Sequence, residues 1–333
     1  MINKVLFLGA GFSAPLGIPT MGNFLERAKD LFEDNPIKFR NFEEIFELIK
    51  QLHYIKANLD LDLSNIEAIL SIIEMGEYVS GLKFETNKFE NFIKSVIEES
   101  TEPLNFSQNF LRNNLYGATI SLLENNIENK YLLYFLSILN ISFEILNDKD
   151  NIHSITKELE NQYERYSIVS VNYDLVVENI LNLISSLSHN SSQQNPSLPL
   201  SKLHGSIDGK IIPPTWNKTS NNSVQKQWID SFNLLSKAHE IIFLGYSLPE
   251  SDAYIKYLLS VSMYKNNNLK KIRVINLDPD GSAQNRYDNL FLSTLKSKYI
   301  FERNSVLQFL ENELNNYGPK EHKVAKSRIY TKR

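Results

Sequence analysis

Three polar residues that could do chemistry stand at the ends of predicted strands. Asn172 and Asp174 follow the apolar run 167–171, and His204 lies in the segment 202–205, which is predicted to end a short strand. Histidine titrates near neutral pH, so it can give or take a proton, and asparagine supplies a directed dipole without adding charge. Such a pair suits a reaction in which charge develops on an oriented substrate close to one base.

A glycine-rich turn follows the first apolar run, 5–8, and residues 9–13 read GAGFS. Glycines there let backbone amides approach a pyrophosphate, the N-terminus of the next helix adds partial positive charge, and Ser13 could donate to a phosphate or ribose oxygen. The same glycines would also serve a tight structural turn. Ala14 replaces the third glycine of the fingerprint GxGxxG, which disfavours an ordinary Rossmann dehydrogenase.

A sheet has to position these residues, and the apolar runs predict one. The runs that read as buried strands are 5–8, 167–171, 240–244 and 271–277. Helical patterns separate the later runs, at 223–238 and 252–264. Strands that alternate with helices predict a Rossmann-like α/β fold with a doubly wound, mostly parallel sheet.

The segment 22–165 carries apolar residues at helical spacing almost throughout. One stripe begins at Ile66, and we predict a capping box from Ser64 and Glu67 in front of it. Further stripes lie at 89–97, 104–123 and 131–146. The predicted division of the chain is an α/β core at 1–21 and 166–316, a large α-helical insertion after the first strand at 22–165, and a basic tail at 317–333.

Composition argues against several classes of site and partner. The chain has 333 residues and a formal net charge of −4, which gives no reason to expect direct binding of nucleic acid. It contains no cysteine, and its six histidines fall in no metal-binding pattern, so we expect no metal. No apolar stretch approaches the roughly 18 residues of a membrane helix, and the N-terminal run is too short for a secretion signal. We therefore expect a cytoplasmic protein that binds no membrane.

Five short motifs follow one another in the order found in sirtuins. They are GAGFSAPLGIP at 9–19, VNYD at 171–174, LHG at 203–205, GYS at 245–247 and VINLD at 274–278. Through these motifs the chain resembles the bacterial sirtuin-like NAD+ hydrolases, many of which are effectors of anti-phage defence. The likeness is confined to the α/β core, and Tyr246 stands where sirtuins usually have threonine.

The resemblance implies a role for each matching residue. Asn172 would hold the attacking water or the nicotinamide ribose, and Asp174 would bind the carboxamide. His204 would act as the acid or base on ribose hydroxyls or water. The residues that would bind the phosphates, riboses and nicotinamide side of NAD+ are Gly9, Ala10, Gly11, Ser13, Pro19, Gly245, Ser247 and Asn276.

The absence of cysteine separates this chain from the sirtuin deacylases, which carry a zinc module with four cysteines. Together with the large insertion, it favours water over an acyl-lysine as the acceptor. The resemblance therefore implies an NAD+ glycohydrolase that releases nicotinamide and ADP-ribose. Because depletion of NAD+ is toxic, it also implies gating, either in a homo-oligomer or by a partner such as a ring-forming ATPase, a nuclease or another protein of a defence system.

Each candidate residue also has a purely structural interpretation. Asn172 and Asp174 could cap a helix, and His204 could be a strand-end histidine bonded to the backbone. Ser247 and Asp252 could serve as turn and cap residues. For the whole protein, the alternatives are a non-catalytic module that senses NAD+ or ADP-ribose, and a protein deacylase or ADP-ribosyltransferase.

Overall fold

The apolar runs form one parallel sheet. The computed structural model describes residues 1–56, 63–80, 86–101, 127–139, 142–144, 154–156, 163–188, 198–211 and 222–313. The strands of the main sheet are β1 (Ile2–Leu8), β4 (Glu164–Ser170), β5 (Leu200–Lys202), β6 (Glu240–Leu244), β7 (Lys271–Ile275) and β8 (Tyr299–Glu302). A separate antiparallel pair consists of β2 (Ser142–Glu144) and β3 (Ser154–Thr156).

The main sheet has the strand order β5-β4-β1-β6-β7-β8, and every neighbouring pair is parallel. The chain therefore places β4 and β5 on one side of β1, and it then crosses to the other side of β1, where it places β6, β7 and β8. This confirms the predicted Rossmann-like, doubly wound fold. The order reverses between β1 and β6, which is where open α/β sheets place their ligand crevice.

The apolar residues of β1 do not alternate with polar ones, because both faces of this strand are buried. Val5 and Phe7 pack into the core on one face of the sheet. Leu6 and Leu8 pack into the core on the other face. Because both faces are covered there, each position from Val5 to Leu8 favours an apolar side chain.

Helices cover both faces of the sheet and fill much of the region between β1 and β4. They are α1 (Ala10–Ser13), α2 (Phe24–Asp34), α3 (Asn41–Lys56), α4 (Ile66–Ser80), α5 (Thr86–Ser100), α6 (Ile127–Ile138), α7 (Val176–Ser188), α8 (Asn222–Leu235), α9 (Ala253–Tyr264) and α10 (Ser282–Leu290). Short 3-10 turns occupy Ala14–Leu16 and Ser293–Lys298, and residues 306–313 are helical. Among the described residues, no helix is both long enough and apolar enough to cross a membrane.

Two parts of the fold differ from the predictions. The stripe at 131–146 was expected to be helical, but α6 ends at Ile138 and the strand Ser142–Glu144 follows. The edge strand β8 was not predicted, because its four residues are mostly half-buried and give no continuous apolar run. The predicted stripe at 104–123 and the predicted tail at 317–333 lie outside the described residues.

The start of α4 also differs from the prediction. Asn65, rather than Ser64, caps the helix, because its Oδ1 accepts hydrogen bonds from the backbone amides of Glu67 (2.9 Å) and Ala68 (3.3 Å). The Glu67 carboxylate instead accepts a hydrogen bond from the Tyr173 hydroxyl at 2.9 Å. The side chain expected to close a capping box is therefore used in a contact with the sheet.

The loops after β1 and β6 touch through their backbones. The amide of Gly9 donates to the Leu244 carbonyl (3.0 Å), and the amide of Gly11 donates to the Gly245 carbonyl (2.9 Å). A Cβ on Gly9 would lie 2.5 Å from the Tyr246 Cα, and one on Gly245 would lie 2.3 Å from the Gly11 carbonyl carbon. Gly245 also has a φ of +65°. Glycine is therefore required here for backbone contact between the two loops.

We expect Gly245→Ala to destabilise the fold by about 3 kcal/mol or more, since it adds a steric clash to a left-handed backbone. Gly281→Ala is the matched control, because it shares the positive φ but meets only the Arg303 Nη2 at 3.3 Å. It should cost about 1 kcal/mol. Urea denaturation measures both values, and equal losses in the two variants would contradict the clash.

Candidate functional site

Asn172 and His204 come from neighbouring strands at the same edge of the sheet. In the register of β4 and β5, Ser170 pairs with Lys202. Asn172 and His204 each stand two residues beyond that pair, and the Leu203 amide continues the ladder by donating to the Ser170 carbonyl at 2.8 Å. The two candidate residues therefore follow the carboxyl ends of adjacent parallel strands.

The side chain of Asn172 joins β4 to the loop after β1. Its Nδ2 donates to the Gly9 carbonyl at 3.0 Å and contacts the Ser13 Oγ at 3.2 Å. Its own backbone amide donates to the Ser170 Oγ at 3.1 Å. Asn172 is buried, and these bonds fix the orientation of its amide group, including the position of its Oδ1.

Asp174 caps the helix that follows it. Its Oδ1 accepts a hydrogen bond from the Val176 amide at 3.0 Å, at the start of α7. The ammonium group of Lys202 donates to the Asp174 carbonyl and forms an ion pair with Glu178 at 2.9 Å. The structural interpretation therefore holds for Asp174, and any contact with a ligand would be additional.

The glycine loop combines a structural turn with buried polar groups. The amides of Gly9 and Gly11 are bonded to the β6 loop, as described above, so they are not free to face a phosphate. Ser13 is fully buried at the side of Asn172, and Pro19 is also buried. Ala10 opens α1 directly after Gly9.

The residues predicted on β6 and β7 lie farther along the same edge of the sheet. The carbonyl of Ser247 accepts a hydrogen bond from the Arg286 Nε at 3.1 Å. The Oδ1 of Asn276 accepts one from the Asp278 amide at 3.0 Å, as in an Asx turn. The structure thus brings Asn172, Gly9 and Ser13 into direct contact, whereas Ser247 and Asn276 bond to other neighbours.

His204 lies in a buried cluster that contains two carboxylates. Its Nδ1 is 3.5 Å from the Glu67 Oε1, and its Nε2 is 3.5 Å from the Asp252 Oδ1. The imidazole is 1% exposed, and neither ring nitrogen has a hydrogen-bond partner among the described residues. Two tyrosines complete what we call the histidine cluster: Glu67, Tyr173, His204, Tyr246 and Asp252.

The two tyrosines hold the two carboxylates. The Tyr173 hydroxyl donates to Glu67, as noted, and the Tyr246 hydroxyl donates to the Asp252 Oδ2 at 2.7 Å. Burial, followed by the charges of Glu67 and Asp252, raises the pKa of Tyr173 well above its usual value. Burial and then the charge of Asp252 raise the pKa of Tyr246 in the same way. Both phenols therefore stay protonated and remain hydrogen-bond donors.

The sequence did not predict that Glu67 and Asp252 lie beside His204. Glu67 was assigned to a cap, and its position beside an apolar stripe was the only sign that it is buried. Asp252 does stand at the N-cap position of α9, but its side chain makes no capping hydrogen bond. It bonds to Tyr246 and approaches His204 instead.

Glu67, His204 and Asp252 each place one possible ligand atom within 4.8 Å of the others, so they could be considered for a metal ion. However, the two carboxylates approach different ring nitrogens. Those nitrogens point in different directions, so an ion bound to one of them would draw the other carboxylate away from its position. The arrangement fits an imidazole flanked by acceptors better than it fits a metal centre, and the absence of metal stays a prediction.

The helical region reaches this edge of the sheet at a second point. The Tyr131 hydroxyl, on α6, donates to the Phe12 carbonyl, and the two rings meet edge to face with centroids 5.0 Å apart. Tyr131 is fully buried. Both the glycine loop and the histidine cluster therefore contact the segment between β1 and β4.

Sirtuin structures are among the solved structures that are similar to this chain. A Sir2 bound to an acetylated peptide is 12% identical, with a TM-score of 0.38, and the match covers 95% of this chain and 93% of that chain. A Sir2–p53 peptide–NAD+ complex is 13% identical, with a TM-score of 0.38 and the same coverage. A Sir2 complex with the inhibitor EX-527, 2′-O-acetyl-ADP-ribose and deacetylated p53 peptide is 13% identical, with a TM-score of 0.36 and coverage of 95% and 94%.

No family model and no curated protein matches the chain. The function proposed below rests on the side chains at the strand ends and on the motifs that contain them.

The buried tyrosines predict how stability depends on pH. An unfolded tyrosine ionises near pH 10, whereas Tyr173, Tyr246 and Tyr287 keep their protons at higher pH in the folded state. Their contribution to stability is therefore full below about pH 10 and is lost above it, at up to about 1.4 kcal/mol per pH unit for each group. Urea denaturation between about pH 9 and about pH 11 measures the slope. Tyr246→Phe should reduce it, and a free energy of unfolding that stays constant across this range would contradict the prediction.

Proposed function

We propose that this chain cleaves the bond between nicotinamide and ribose in NAD+ and transfers the ADP-ribosyl group to water. The observation that supports the proposal best is the pairing of an oriented amide, Asn172, with a histidine, His204, behind adjacent parallel strands. They stand next to the first βα loop, where this fold class places dinucleotides. The five ordered motifs noted in the sequence add to this support.

The proposed reaction needs few protein groups. Nicotinamide leaves as a neutral molecule from a cationic ribosyl–pyridinium bond, so it needs no general acid. As the C–N bond breaks, its electron pair goes to the nicotinamide nitrogen and positive charge develops on the ribose. Water then attacks the anomeric carbon and gives up a proton, and ADP-ribose and nicotinamide are the products. Catalysis requires an oriented substrate, dipoles beside the developing charge, and one base.

The residues divide between these tasks. Asn172 directs its amide dipole at the ribose or holds the water, because its two donations already fix its orientation. His204 takes the proton of the attacking water. Asp174 binds the carboxamide of nicotinamide while it caps α7.

The remaining predicted residues would hold the rest of the dinucleotide. Ser13 lies against Asn172, near the reacting end. Ser247 and Asn276 follow β6 and β7, so they lie on the side of the crevice where the adenosine half would extend. Because the Gly9 and Gly11 amides are bonded to the β6 loop and the Phe12 amide is bonded to the Gly9 carbonyl, phosphate binding would fall to the Ala10 amide and the Ser13 hydroxyl. The other predicted positions, Pro19 and Gly245, would border the nicotinamide side and the phosphates.

Water is the proposed acceptor because the chain has no cysteine. The four-cysteine zinc module of the sirtuin deacylases, which helps to form their acyl-lysine groove, therefore has no counterpart here. We further propose that the enzyme is a gated, NAD+-depleting effector of bacterial anti-phage defence that acts in the cytoplasm. Gating would come from a homo-oligomer or from a partner protein such as a ring-forming ATPase.

A non-catalytic NAD+ sensor is the second candidate, and the burial of His204 favours it. An imidazole that is 1% exposed is closed to solvent in this structure. A sensor would bind NAD+ and leave it intact, whereas a gated enzyme would release nicotinamide once it is activated. Calorimetric binding of NAD+ and chromatographic detection of nicotinamide in the same sample separate the two.

We expect Asn172→Ala and His204→Gln each to lower the rate of nicotinamide release by at least about a hundredfold, because each removes a group that acts on the reacting ribose or water. The exposed residues Asn233 and His53 provide matched controls, and Asn233→Ala and His53→Ala should keep the wild-type rate. Circular dichroism checks that all four variants are folded.

Wild-type turnover in folded Asn172→Ala or His204→Gln would overturn the assigned roles. Turnover that requires an acyl-lysine peptide would replace the hydrolase with a deacylase. Absence of NAD+ binding to the wild-type protein would overturn the proposed function itself.

A further inference from the structure

The histidine cluster is assembled from two distant parts of the chain. Glu67 belongs to the first turn of α4, in the segment between β1 and β4. Asp252 stands directly before α9, behind β6. Both residues are about as deeply buried as His204, at 4% and 2% exposed. A carboxylate that is buried this far is retained only where it has partners.

The bonds around the cluster form a chain with the imidazole at its centre. Tyr173 donates to Glu67, Glu67 faces the Nδ1, the Nε2 faces Asp252, and Tyr246 donates to Asp252. The Tyr173 ring also lies beside the imidazole, with centroids 5.9 Å apart. Each phenol fixes the position of one carboxylate, and each carboxylate faces one ring nitrogen.

We propose that Glu67 is a positioning residue that holds His204 for the proposed reaction, with Asp252 as its counterpart. This inference rests on the proposed function. A neutral imidazole has one N–H and can donate to only one of the two carboxylates. When the Nδ1–H donates to Glu67, the Nε2 keeps its lone pair and is the nitrogen that can take a proton from water, which has to reach it on the side that Asp252 faces. Glu67 thus fixes the tautomer and the ring orientation that a base needs, and its charge stabilises the imidazolium that forms.

The contact of 3.5 Å between the Nδ1 and Glu67 is longer than a hydrogen bond, so a small movement of the ring or of α4 has to close it. Glu67 belongs to α4, whereas Asp252 lies between β6 and α9. The orientation of His204 consequently depends on how the helical region sits against the sheet. This dependence involves Glu67, which lies outside the five sirtuin-like motifs.

The test uses Glu67→Gln in the full chain. The glutamine keeps an oxygen that can accept from Tyr173, but it loses the charge that faces the Nδ1. We expect kcat for nicotinamide release to fall about ten- to hundredfold, as for other residues that orient a functional side chain, while the KM for NAD+ stays within about threefold. Glu43→Gln, at an exposed position of α3, is the matched control and should leave both constants unchanged.

A double variant distinguishes positioning from a general loss of structure. If Glu67 acts through His204, then Glu67→Gln adds little to the loss already caused by His204→Gln. Multiplied losses, or a rise in KM with kcat unchanged, would overturn the proposal. If the wild-type protein releases nicotinamide and Glu67→Gln is equally active, the role of Glu67 fails while the proposed function stands.

A spectroscopic readout applies even if the chain cleaves no NAD+. In protein labelled with ¹⁵N-histidine, the ring-nitrogen signals of His204 are assigned by their loss in His204→Gln. These signals should shift in Glu67→Gln and stay in place in Glu43→Gln. Unchanged signals in Glu67→Gln would overturn the contact.

A metal ion is the competing explanation of the same cluster. Calorimetric titration with Mn²⁺ or Zn²⁺ alone, in wild type and Glu67→Gln, examines it. Stoichiometric binding that Glu67→Gln abolishes, together with activity that EDTA removes and the metal restores, would overturn positioning in favour of a metal site. Activity that is insensitive to EDTA supports positioning.

Discussion

The backbone contact between the loops after β1 and β6 is the constraint on which the candidate site depends. Gly9, Gly11 and Gly245 let the two loops meet without side chains between them. Because the loop after β1 is held in this way, its Gly9 carbonyl and the Ser13 hydroxyl stand where Asn172 can bond to them. The orientation of the Asn172 amide group thus follows from the close packing of these two loops, at the point between β1 and β6 where the strand order reverses.

The histidine cluster, in contrast, is held by charge and burial rather than by backbone packing. Two carboxylates, two phenols and an imidazole share a space from which water is nearly excluded. In such surroundings a polar group that lacks partners is costly, so the members constrain one another. Two groups behind adjacent strands are thus fixed in different ways. The Asn172 amide is held by the loop after β1, and the His204 imidazole is held by ionisable neighbours.

Local patterns in the sequence predicted the sheet well. The run 240–244 agrees with β6 residue for residue, and the pattern at 223–238 corresponds to the helix Asn222–Leu235. The strand β8 escaped prediction because an edge strand with half-buried residues carries a weak signal. The predicted residues Asn172 and His204 do follow neighbouring strands, since parallel strands end at the same edge.

The surroundings of His204 could not be predicted in the same way. Tyr173 and Glu67 are 106 residues apart in the chain, and no local spacing links them. Glu67 beside Ile66 looks like an ordinary first-turn carboxylate, and Asp252 before α9 looks like an ordinary cap. What distinguishes them is burial against the sheet, which only the tertiary structure supplies.

The position of Glu67 in its helix has a structural consequence. The fifteen residues of α4 form a stiff rod, with this carboxylate in the first turn and the exposed side chains of Met75 and Val79 toward the far end. The exposed outer end of α4 and the carboxylate that faces the imidazole therefore belong to one and the same helix.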